Sequence, residues 1–185
     1  MSLIHYHRKR NFKKSNEPIG KIHYKTTHLY IIQKHAASHL HYDFRIELNG
    51  VLKSWAIPKG PCLDPTVKRL AIHVEDHPIE YGAFEGTIPK GQYGGGAVLL
   101  WDKGEWHSKD ENPQIAYHKG HLHFELKAKK LKGLWDLVRI HSEEKNDTWL
   151  LIKNKDRYAR ALETYDILEA KPKSVISGKL IHEII

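Results

Sequence analysis

One predicted strand carries the residue types best suited to chemistry. Side chains alternate between the two faces of a strand, so the run from His39 to Leu48 divides cleanly by position. One face is apolar and consists of Leu40, Tyr42, Phe44, Ile46 and Leu48. The other face carries His39, His41, Asp43, Arg45 and Glu47. A half-solvated strand usually shows Thr, Ser, Lys and Glu outside, so two imidazoles beside a carboxylate and a guanidinium favour a functional surface.

A second predicted strand, Arg69–His77, repeats the pattern. Leu70, Ile72 and Val74 fall on one face, and the other carries Arg69, Ala71, His73, Glu75 and His77. Two such polar faces side by side would combine imidazoles and carboxylates, which bind divalent metals, with guanidinium groups, which bind phosphate through paired hydrogen bonds. This combination predicts a phosphate-ester site. His35 follows the preceding strand candidate, and the spacing does not choose among His35, His39 and His41 as ligands.

A third predicted strand offers an alternative metal site. In the run HLHFELK, one face carries His121, His123, Glu125 and Lys127. No arginine lies near this face in the sequence, so we favour the first site. The histidines near chain ends or in polar stretches are expected to be solvated, namely His5, His7, His107, His118, His141 and His182.

Other motifs exclude several enzyme classes. The stretch EGTIPKGQYGGG lacks the P-loop Lys and Ser/Thr and does not meet the dinucleotide spacing GxGxxG, so we interpret it as tight turns with Lys90 available to a phosphate. There is no GxSxG elbow, and no neighbourhood activates Cys62 as a nucleophile. Because Cys62 is the only cysteine, a disulfide framework and a multi-cysteine metal site are excluded, which suits a reducing compartment.

Strand signals dominate most of the chain and predict a mainly β fold. Asn49-Gly50 predicts a two-residue hairpin turn, because a type I′ turn needs positive φ at both central positions. Further strand candidates are His28–Lys34, Arg69–His77, Ala97–Asp102, His121–Leu126, Leu134–Ile140 and Trp149–Lys153. About eight strands in sequence suggest a single barrel. Its core is expected to hold Trp55, Trp101, Trp106, Trp135 and Trp149.

Two stretches differ from this pattern. Ser108–Lys119 is polar and contains a proline, which predicts a surface loop. Beyond Lys155, apolar residues recur at helical spacing, with Asp156 able to cap the start and Lys171-Pro172 ending the run. We therefore expect short peripheral helices, including one near the C-terminus that packs on the barrel.

The charge is concentrated at the N-terminal end. Thirty basic and 22 acidic side chains give a net charge of +8, and five basic residues but no acid lie within residues 1–14. Such an arm fits a polyphosphate partner, although a solvated, mobile terminus explains the charge equally well. No apolar run approaches the roughly 18 residues of a membrane span, and no signal-peptide pattern is present. We therefore expect no membrane association and a cytoplasmic location.

Several long runs carry a family resemblance. They are QKHAASHLHYDFRIELNGVLKSWAIPKGPCLDP, KRLAIHVEDHPIEYGAFEGTIPKGQYGGGAVLLWDKGEW, GHLHFELKAKKLKGLWDLVRI and WLLIKNKD. From about Arg10 to Asp156 the chain resembles the 3′-phosphoesterase domain of bacterial ligase D and its stand-alone archaeal and bacterial relatives. The resemblance implies a compact β-barrel with a surface groove and a metal-dependent enzyme acting on DNA or RNA 3′ ends.

The implied activity has two steps. The enzyme removes a 3′-terminal ribonucleoside from a primer strand and then the remaining 3′-phosphate, leaving a 3′-OH for repair and ligation in non-homologous end joining. One divalent ion is implied, with Mn²⁺ favoured. The implied partners are 3′ ends at primer-template junctions and a DNA ligase and polymerase of the same pathway, and a monomer is expected.

The resemblance also assigns individual residues. The implied metal ligands are His35, His41 and Asp43. The implied catalytic and phosphate-contacting groups are Arg45, Lys59, Arg69, Glu75, His77 and Tyr81, with Arg10 and Glu17 helping to form the site. Residues 1–14 are thus expected to form a basic arm contributing to the site, 15–158 the barrel domain, and 159–185 a C-terminal helix and tail. Asn11 stands where the family commonly has Asp, which bears on the nuclease step more than on the phosphatase step.

A mechanism follows as a hypothesis. The metal binds a nonbridging phosphate oxygen, Arg45 and Arg69 offset the developing charge, and His77 transfers a proton, since a pKa near neutral suits that task. Removal of a ribonucleoside uses the substrate's 2′-hydroxyl. Two other functions are compatible with the sequence: a non-catalytic barrel that binds single-stranded nucleic acid, and a metal-dependent phosphodiesterase of small nucleotides.

Overall fold

The computed structural model describes residues 2–143 and 147–184. In this part of the chain, short turns and loops join antiparallel strands, three short α-helices and two 3₁₀ turns. The strands are Leu29–Ala36 (β1), Leu40–Leu48 (β2), Val51–Ile57 (β3), Arg69–His77 (β4), Gly86–Ile88 (β5), Gly96–Ser108 (β6), His121–Ala128 (β7), Lys132–His141 (β8) and Thr148–Lys153 (β9). The helices are Ile4–Arg8 (α1), Pro113–Lys119 (α2) and Ile167–Ala170 (α3), and the 3₁₀ turns are Ile79–Ala83 and Ile181–Glu183.

Eight of the strands close into an antiparallel barrel. The order is β1-β2-β3-β4-β9-β8-β7-β6, and β1 also pairs with β6, which completes the ring. The long strand β6 additionally pairs with β5 at Gly96–Val98. Within the described residues, each of these eight strands thus pairs with a neighbour on both sides. The barrel and the mainly β class predicted from the sequence are confirmed.

The β2–β3 hairpin has the turn predicted from Asn49-Gly50. Both residues have positive φ, 54° at Asn49 and 82° at Gly50. A Cβ at Gly50 would stand 1.8 Å from the carbonyl oxygen of His23, so only glycine fits there. The turn fixes the β2–β3 register, in which Arg45 lies opposite Ser54 and Asp43 opposite Ala56.

Two apolar clusters lie on opposite sides of the strands that carry the polar residues. The first fills the barrel and includes Phe44 and Ile46 together with all five tryptophans, each no more than 3% exposed, which confirms their predicted core positions. The second cluster covers the outer face of β1 and β3 and includes Leu3, Tyr6 and Tyr81. The polar face of β2 therefore lies between the barrel wall and a cover formed by the N-terminal arm and the segment after β4.

The N-terminal arm is packed on the barrel. Tyr6 on α1 is fully buried, and its hydroxyl donates a hydrogen bond to the carbonyl oxygen of Pro18. Leu3 is also buried, while Ile4 and the basic residues on either side of Tyr6 are exposed. Because the arm contributes buried aromatic surface, the alternative of a mobile, solvated terminus is wrong.

The face assignment predicted for β4 is wrong over most of the strand. His73 lies opposite Trp55 and its ring packs 5.2 Å from the indole, so His73 and Ala71 face the barrel interior. Leu70 and Ile72, expected to pack inside, are 42% and 37% exposed. A register shift opposite Leu52–Ser54 inserts one extra residue into β4, which returns His77 to the outer face. Strict alternation across a β-bulge therefore gives the wrong side for the residues preceding it.

Two helix predictions also need correction. The stretch predicted as a surface loop contains α2, which begins after Asn112, whose side chain accepts a hydrogen bond from the backbone of Ile115, and ends at Gly120 with φ 83°. The helix expected from Asp156 onward is much shorter than predicted. Asp156 is held by Lys153 and the backbone of Leu134, and the chain runs through turns to α3, which Asp166 caps.

Within the described residues, no helix is long and apolar enough to cross a membrane.

Candidate active site

A cavity of about 300 Å³ opens on the outer face of β1, β2 and β4. It is roofed by the N-terminal arm and by the glycine-rich segment between β5 and β6. Its polar lining residues are Arg10, His35, His41, Asp43, Arg45, Glu75, His77, Tyr81 and Tyr93. The register explains how they meet, because β1–β2 pairing places His35 opposite His41, and alternation places Asp43 and Arg45 on the same face of β2.

Three of these side chains converge on one point. Ligand atoms of His35, His41 and Asp43 all lie within 4.8 Å of one another. Nδ1 of His35 is 3.5 Å from one carboxylate oxygen of Asp43, and Nε2 of His41 is 3.5 Å from the other. His35 and Asp43 are buried, and His41 is partly buried toward the mouth of the cavity.

The protonation pattern of the two rings suits a metal centre. His35 Nε2 lies 2.7 Å from the carbonyl oxygen of Gly94, and His41 Nδ1 lies 2.9 Å from that of His39. A carbonyl only accepts hydrogen bonds, so each of these nitrogens carries the ring proton in the neutral form, and the other presents its lone pair toward Asp43. Second-shell carbonyls of this kind fix metal-binding histidines. Two imidazole nitrogens and a carboxylate at one point can share a proton or bind a cation, and this donor set fits a divalent metal.

The charges around His35, His41 and Asp43, which we call the triad, also favour the binding of a cation. Burial alone would raise the pKa of Asp43, but the charge of Arg45 and the hydrogen bonds of both imidazoles hold it well below its usual range. Burial opposes protonation of His41, yet the hydrogen bond and charge of Asp43 raise the pKa of that ring. Asp43 is therefore an anion that draws a proton or a cation to its imidazole partners.

Arg45 is fixed beside the triad by three groups. One guanidinium nitrogen donates to Asp43 at 3.2 Å, and Nε donates to Gln33 Oε1 at 2.9 Å. The Gln33 amide donates in turn to the carbonyls of Tyr81 and Phe84. Arg45 is 3% exposed and lies over the ring of Tyr81, 5.0 Å from its centroid. Its position is thus determined before any ligand binds.

His77 lies between two guanidinium groups. Its Nδ1 is 3.1 Å from Nη1 of Arg45, and its Nε2 is 3.1 Å from Nη2 of Arg10. Burial, followed by the charges of Arg45 and Arg10, lowers the pKa of His77 well below its usual value. Nε2 faces the donor Arg10, whereas Nδ1 faces both the donor Arg45 and the carbonyl oxygen of Glu75 at 2.9 Å. The neutral ring therefore satisfies more of these neighbours with its proton on Nδ1, directed to Glu75, and with Nε2 accepting from Arg10. His77 is therefore neutral, with its acceptor nitrogen facing the arm.

A buried ion pair with Glu17 holds Arg10 of the N-terminal arm at the cavity. Arg10 Nε lies 2.8 Å from Oε1 of Glu17, and the two side chains are 5% and 1% exposed. Ser15 and Tyr81 donate hydrogen bonds to the same carboxylate. Arg10 also contacts Glu75 through Nη1 at 3.2 Å. Glu17 thus holds the guanidinium against His77 and is itself fully hydrogen bonded.

Lys9 and Tyr93 form the opposite rim of the cavity. Lys9 Nζ donates to Glu75 at 3.0 Å and to the Tyr93 hydroxyl at 3.2 Å. Tyr93 is 49% exposed and lies in the glycine-rich segment whose Gly94 carbonyl anchors His35. Gly94 has φ 73°, a left-handed conformation that a side chain would strain. The turns predicted for this segment serve to place a carbonyl and a tyrosine at the site.

The structure does not bring every residue named from the sequence into the cavity. Arg69 begins β4 at the end remote from His77, and alternation places it on the face of Ala71 and His73. Lys59 is exposed in the turn after β3. Neither lines the cavity, within the described residues. The side chain of exposed Asn11 accepts a hydrogen bond from the backbone of Lys13 rather than reaching the site.

The other histidines considered as metal ligands in the sequence lie outside the triad. His39 is exposed beside the mouth and contributes its carbonyl to His41, whereas His73 bonds Tyr117 and Asp147 away from the triad. In the HLHFELK strand, Glu125 pairs with Lys109 and not with the histidines of that strand. The alternative metal site predicted from His121, His123 and Glu125 therefore does not form with these three residues.

Sequence reasoning missed two residues of the site. Gln33 is fully buried and positions Arg45. Gln33 lies two residues before His35 and so on the same face of β1, which is the sequence feature that could have identified it. Tyr93 was hidden among glycines, and only the folded segment shows that it borders the cavity.

Residues 33–139 match the family described as the DNA Ligase D 3′-phosphoesterase domain. The multifunctional non-homologous end joining protein LigD of Pseudomonas aeruginosa is 52% identical over 182 residues, which cover 97% of this chain and 22% of that protein. The multifunctional non-homologous end joining DNA repair protein LigD of Mycobacterium tuberculosis is 38% identical over 168 residues, or 90% of this chain and 21% of that protein.

A third relative, the multifunctional non-homologous end joining protein LigD of Mycolicibacterium smegmatis, is 36% identical over 186 residues, covering 96% of this chain and 24% of that protein. The chain thus spans less than a quarter of the length of these curated relatives. The family match includes the triad, Arg45, His77 and Tyr81, whereas Arg10 lies before it.

Proposed function

The chain belongs to the DNA ligase D 3′-phosphoesterase domain family, and we propose that it is a metal-dependent hydrolase of DNA or RNA 3′ ends. It removes a 3′-terminal ribonucleoside and then the 3′-phosphate, and so exposes a 3′-OH. The observation that carries the proposal is one cavity in which the metal-type triad of His35, His41 and Asp43 adjoins Arg45 and His77.

The triad is the proposed site of one divalent ion, with Mn²⁺ as the expected metal. His35 Nδ1, His41 Nε2 and Asp43 would supply the protein ligands. The chemistry that a divalent cation supplies there is neutralisation of charge on a phosphoryl oxygen. The two backbone carbonyls behind the rings keep both imidazoles oriented for this role.

Arg45 and Arg10 are the proposed phosphate-binding groups. Both guanidinium groups contact His77, one at each ring nitrogen, so a phosphoryl group entering the cavity would meet two cations at a fixed spacing. Guanidinium groups offset charge that develops on phosphoryl oxygens, and prior orientation reduces the reorganisation that the reaction requires. Arg10 thus takes the role of second phosphate-binding arginine, which the sequence analysis had assigned to Arg69. We assign no direct contact to Arg69 or Lys59.

His77 is the proposed proton acceptor. Its depressed pKa keeps the ring neutral, which departs from the near-neutral pKa expected for it and makes it a base rather than an acid in the free protein. A bound phosphate anion would offset the two arginine charges and raise the pKa of His77 toward the range that suits proton transfer. The proton would come from water or from the substrate's 2′-hydroxyl.

Tyr81, Glu75 and Glu17 are proposed as positioning residues. The Tyr81 hydroxyl donates to Glu17 at 3.0 Å, and both Glu17 and Glu75 accept hydrogen bonds from Arg10. These contacts join the arm to the barrel. We propose that residues 1–14 complete the site, that residues 15–158 provide the barrel and that residues 159–185 form a C-terminal helix and tail.

The proposed substrates are 3′ ends at primer-template junctions. The relatives are named for non-homologous end joining, and we propose that this chain prepares ends for a DNA ligase and a polymerase of such a pathway. We propose that it acts in the cytoplasm and as a monomer.

The proposal is tested with Mn²⁺ and two labelled primer-templates, one ending in a single 3′ ribonucleotide and one in a 3′-phosphate. We expect the first to yield a 3′-phosphate strand and then a 3′-OH strand, the second to yield the 3′-OH strand, and a chelator to stop both. Binding without turnover would favour a nucleic-acid-binding barrel. Faster hydrolysis of mononucleotides than of oligonucleotides would favour a small-nucleotide phosphodiesterase.

A further inference from the structure

A second group of imidazoles lies on the outer face of β7, outside the cavity. His121 and His123 are two positions apart, so they project from the same face of the strand. In the β7–β8 register, His123 lies directly opposite Asp136. Neither histidine nor Asp136 lines the cavity of the candidate active site, among the residues that the structure describes.

Both imidazoles are directed at one oxygen atom. His121 Nε2 lies 2.8 Å and His123 Nδ1 lies 3.1 Å from Oδ1 of Asp136. The other carboxylate oxygen accepts a hydrogen bond from the side-chain amide of Asn154 at 2.5 Å. Asp136 is therefore held in place by Asn154 while its first oxygen faces both rings.

The nitrogen-oxygen distances are close to those of a coordination shell. In a tetrahedral zinc site, with metal-ligand distances near 2.1 Å, neighbouring ligand atoms are about 3.4 Å apart, so both rings would withdraw slightly from Asp136 to admit an ion. The two N–H protons that now point at Asp136 occupy the space that a cation would take. The side chains of His121 and His123 are 60% and 37% exposed, so solvent reaches them and both rings are free to turn toward a common ion.

We propose that His121, His123 and Asp136 form a second divalent-cation site, of the class that Zn²⁺ prefers, on the surface of the barrel. Two imidazoles and one carboxylate suit Zn²⁺ better than Mg²⁺ or Ca²⁺, which take oxygen ligands. Water completes the coordination, and Asn154 orients the carboxylate from behind. Glu125, the third member suggested by the sequence, is excluded by its pairing with Lys109. The site is independent of the proposed phosphoesterase activity.

The site is tested by titrating Zn²⁺ into the metal-free full chain by calorimetry at pH 7.5. We expect two equivalents in the wild type and one in His121→Asn/His123→Asn. Asp43→Asn is expected to keep one equivalent, which is lost when the two histidine substitutions are added. His118→Asn, an exposed substitution on α2, is the matched control and should leave the stoichiometry at two. Circular dichroism confirms folding of each variant.

A further variant probes the orienting role of Asn154. Asn154→Ala is expected to weaken the second equivalent by about tenfold or more and to leave the first unchanged. At pH 5.5 the second equivalent should disappear, because protonated imidazoles do not bind metal. Retention of both equivalents in the double histidine variant overturns the proposal. Loss of all Zn²⁺ binding in folded Asp43→Asn overturns it as well.

Discussion

Arg10 Nη2 lies 3.1 Å from Nε2 of His77, although the two residues are 67 positions apart. The contact brings the N-terminal arm to the end of β4 and sets the protonation state of the imidazole. Arg10 and Arg45 together surround His77 with positive charge, while the carbonyl of Glu75 accepts its single ring proton. The arm is thus an electrostatic part of the site as well as its cover.

The first prediction concerns the protonation of His77. Because burial and the two arginines lower its pKa, the ring should stay neutral, with the proton on Nδ1, at pH values where an ordinary exposed imidazole is already protonated. Nitrogen-15 NMR of the imidazoles measures this directly, and His77→Asn identifies the signal. The exposed ring of His118 provides the internal reference. A His77 signal that becomes doubly protonated near pH 7 would contradict the electrostatics described above.

The second prediction concerns the Arg10–Glu17 pair. Arg10→Ala leaves Glu17 buried without its cationic partner, so we expect the unfolding free energy to fall by about 3 kcal/mol, together with a loss of phosphate release. Urea denaturation checks the stability. Arg8→Ala, at the exposed last residue of α1 in the same N-terminal arm, should change it by less than about 0.5 kcal/mol. Equal stability of the Arg10 and Arg8 variants would show that the arm is not held by this pair.

The third prediction concerns Gln33 as a positioning residue. Gln33→Leu removes the acceptor of Arg45 and leaves two carbonyls without their donor, which should lower the unfolding free energy by about 2 kcal/mol and kcat by roughly tenfold or more. Steady-state kinetics on a 3′-phosphorylated primer-template separates kcat from KM. Gln114→Leu, a partly exposed position on α2 outside the cavity, is the control. An unchanged kcat would mean that Arg45 needs no support from Gln33.

The fourth prediction concerns acid stability through His73, which lies away from the cavity. Burial lowers the pKa of His73 in the folded state, although the charge of Asp147 opposes the shift. The unfolded chain then binds the extra proton first, so stability falls as pH drops below about 6.5 toward the lower folded pKa. Urea denaturation of His73→Asn between pH 5 and 8 should show a slope shallower by up to about 1.4 kcal/mol per pH unit in that window. Parallel curves for variant and wild type would exclude this role.

How far the sequence predicted the site depended on the regularity of each strand. In β2 the alternation is unbroken, so His41, Asp43 and Arg45 were correctly placed on one face, opposite the core residues Phe44 and Ile46. In β4 the register shift reverses the faces partway along the strand, and nothing in the residues 69–77 marks it. Periodicity therefore predicts positions within a regular strand but not across a bulge.

Tertiary contacts account for the other differences. The charge of the arm predicted a polyanion partner, but the burial of Tyr6 and the pairing of Arg10 with Glu17 depend on where the arm docks. The apolar spacing after Lys155 predicted a helix that starts at Asp156 and ends before Pro172, yet Asp156 bonds Lys153 and the backbone of Leu134, so the helix begins only at Ile167. In both cases, contacts between residues in different elements decided the conformation, and the local sequence pattern does not show such contacts.

The most direct test of the central claim is Mn²⁺-dependent release of inorganic phosphate from a primer-template with a 3′-phosphate, measured for the wild type, His41→Asn and Asp43→Asn. We expect rapid release by the wild type, at least about a hundredfold slower release by either folded variant, and none with chelator present. A matched substrate carrying a 5′-phosphate should be left intact by all three proteins. Near-normal release by either variant would contradict the assignment of His35, His41 and Asp43 as the metal site of the reaction.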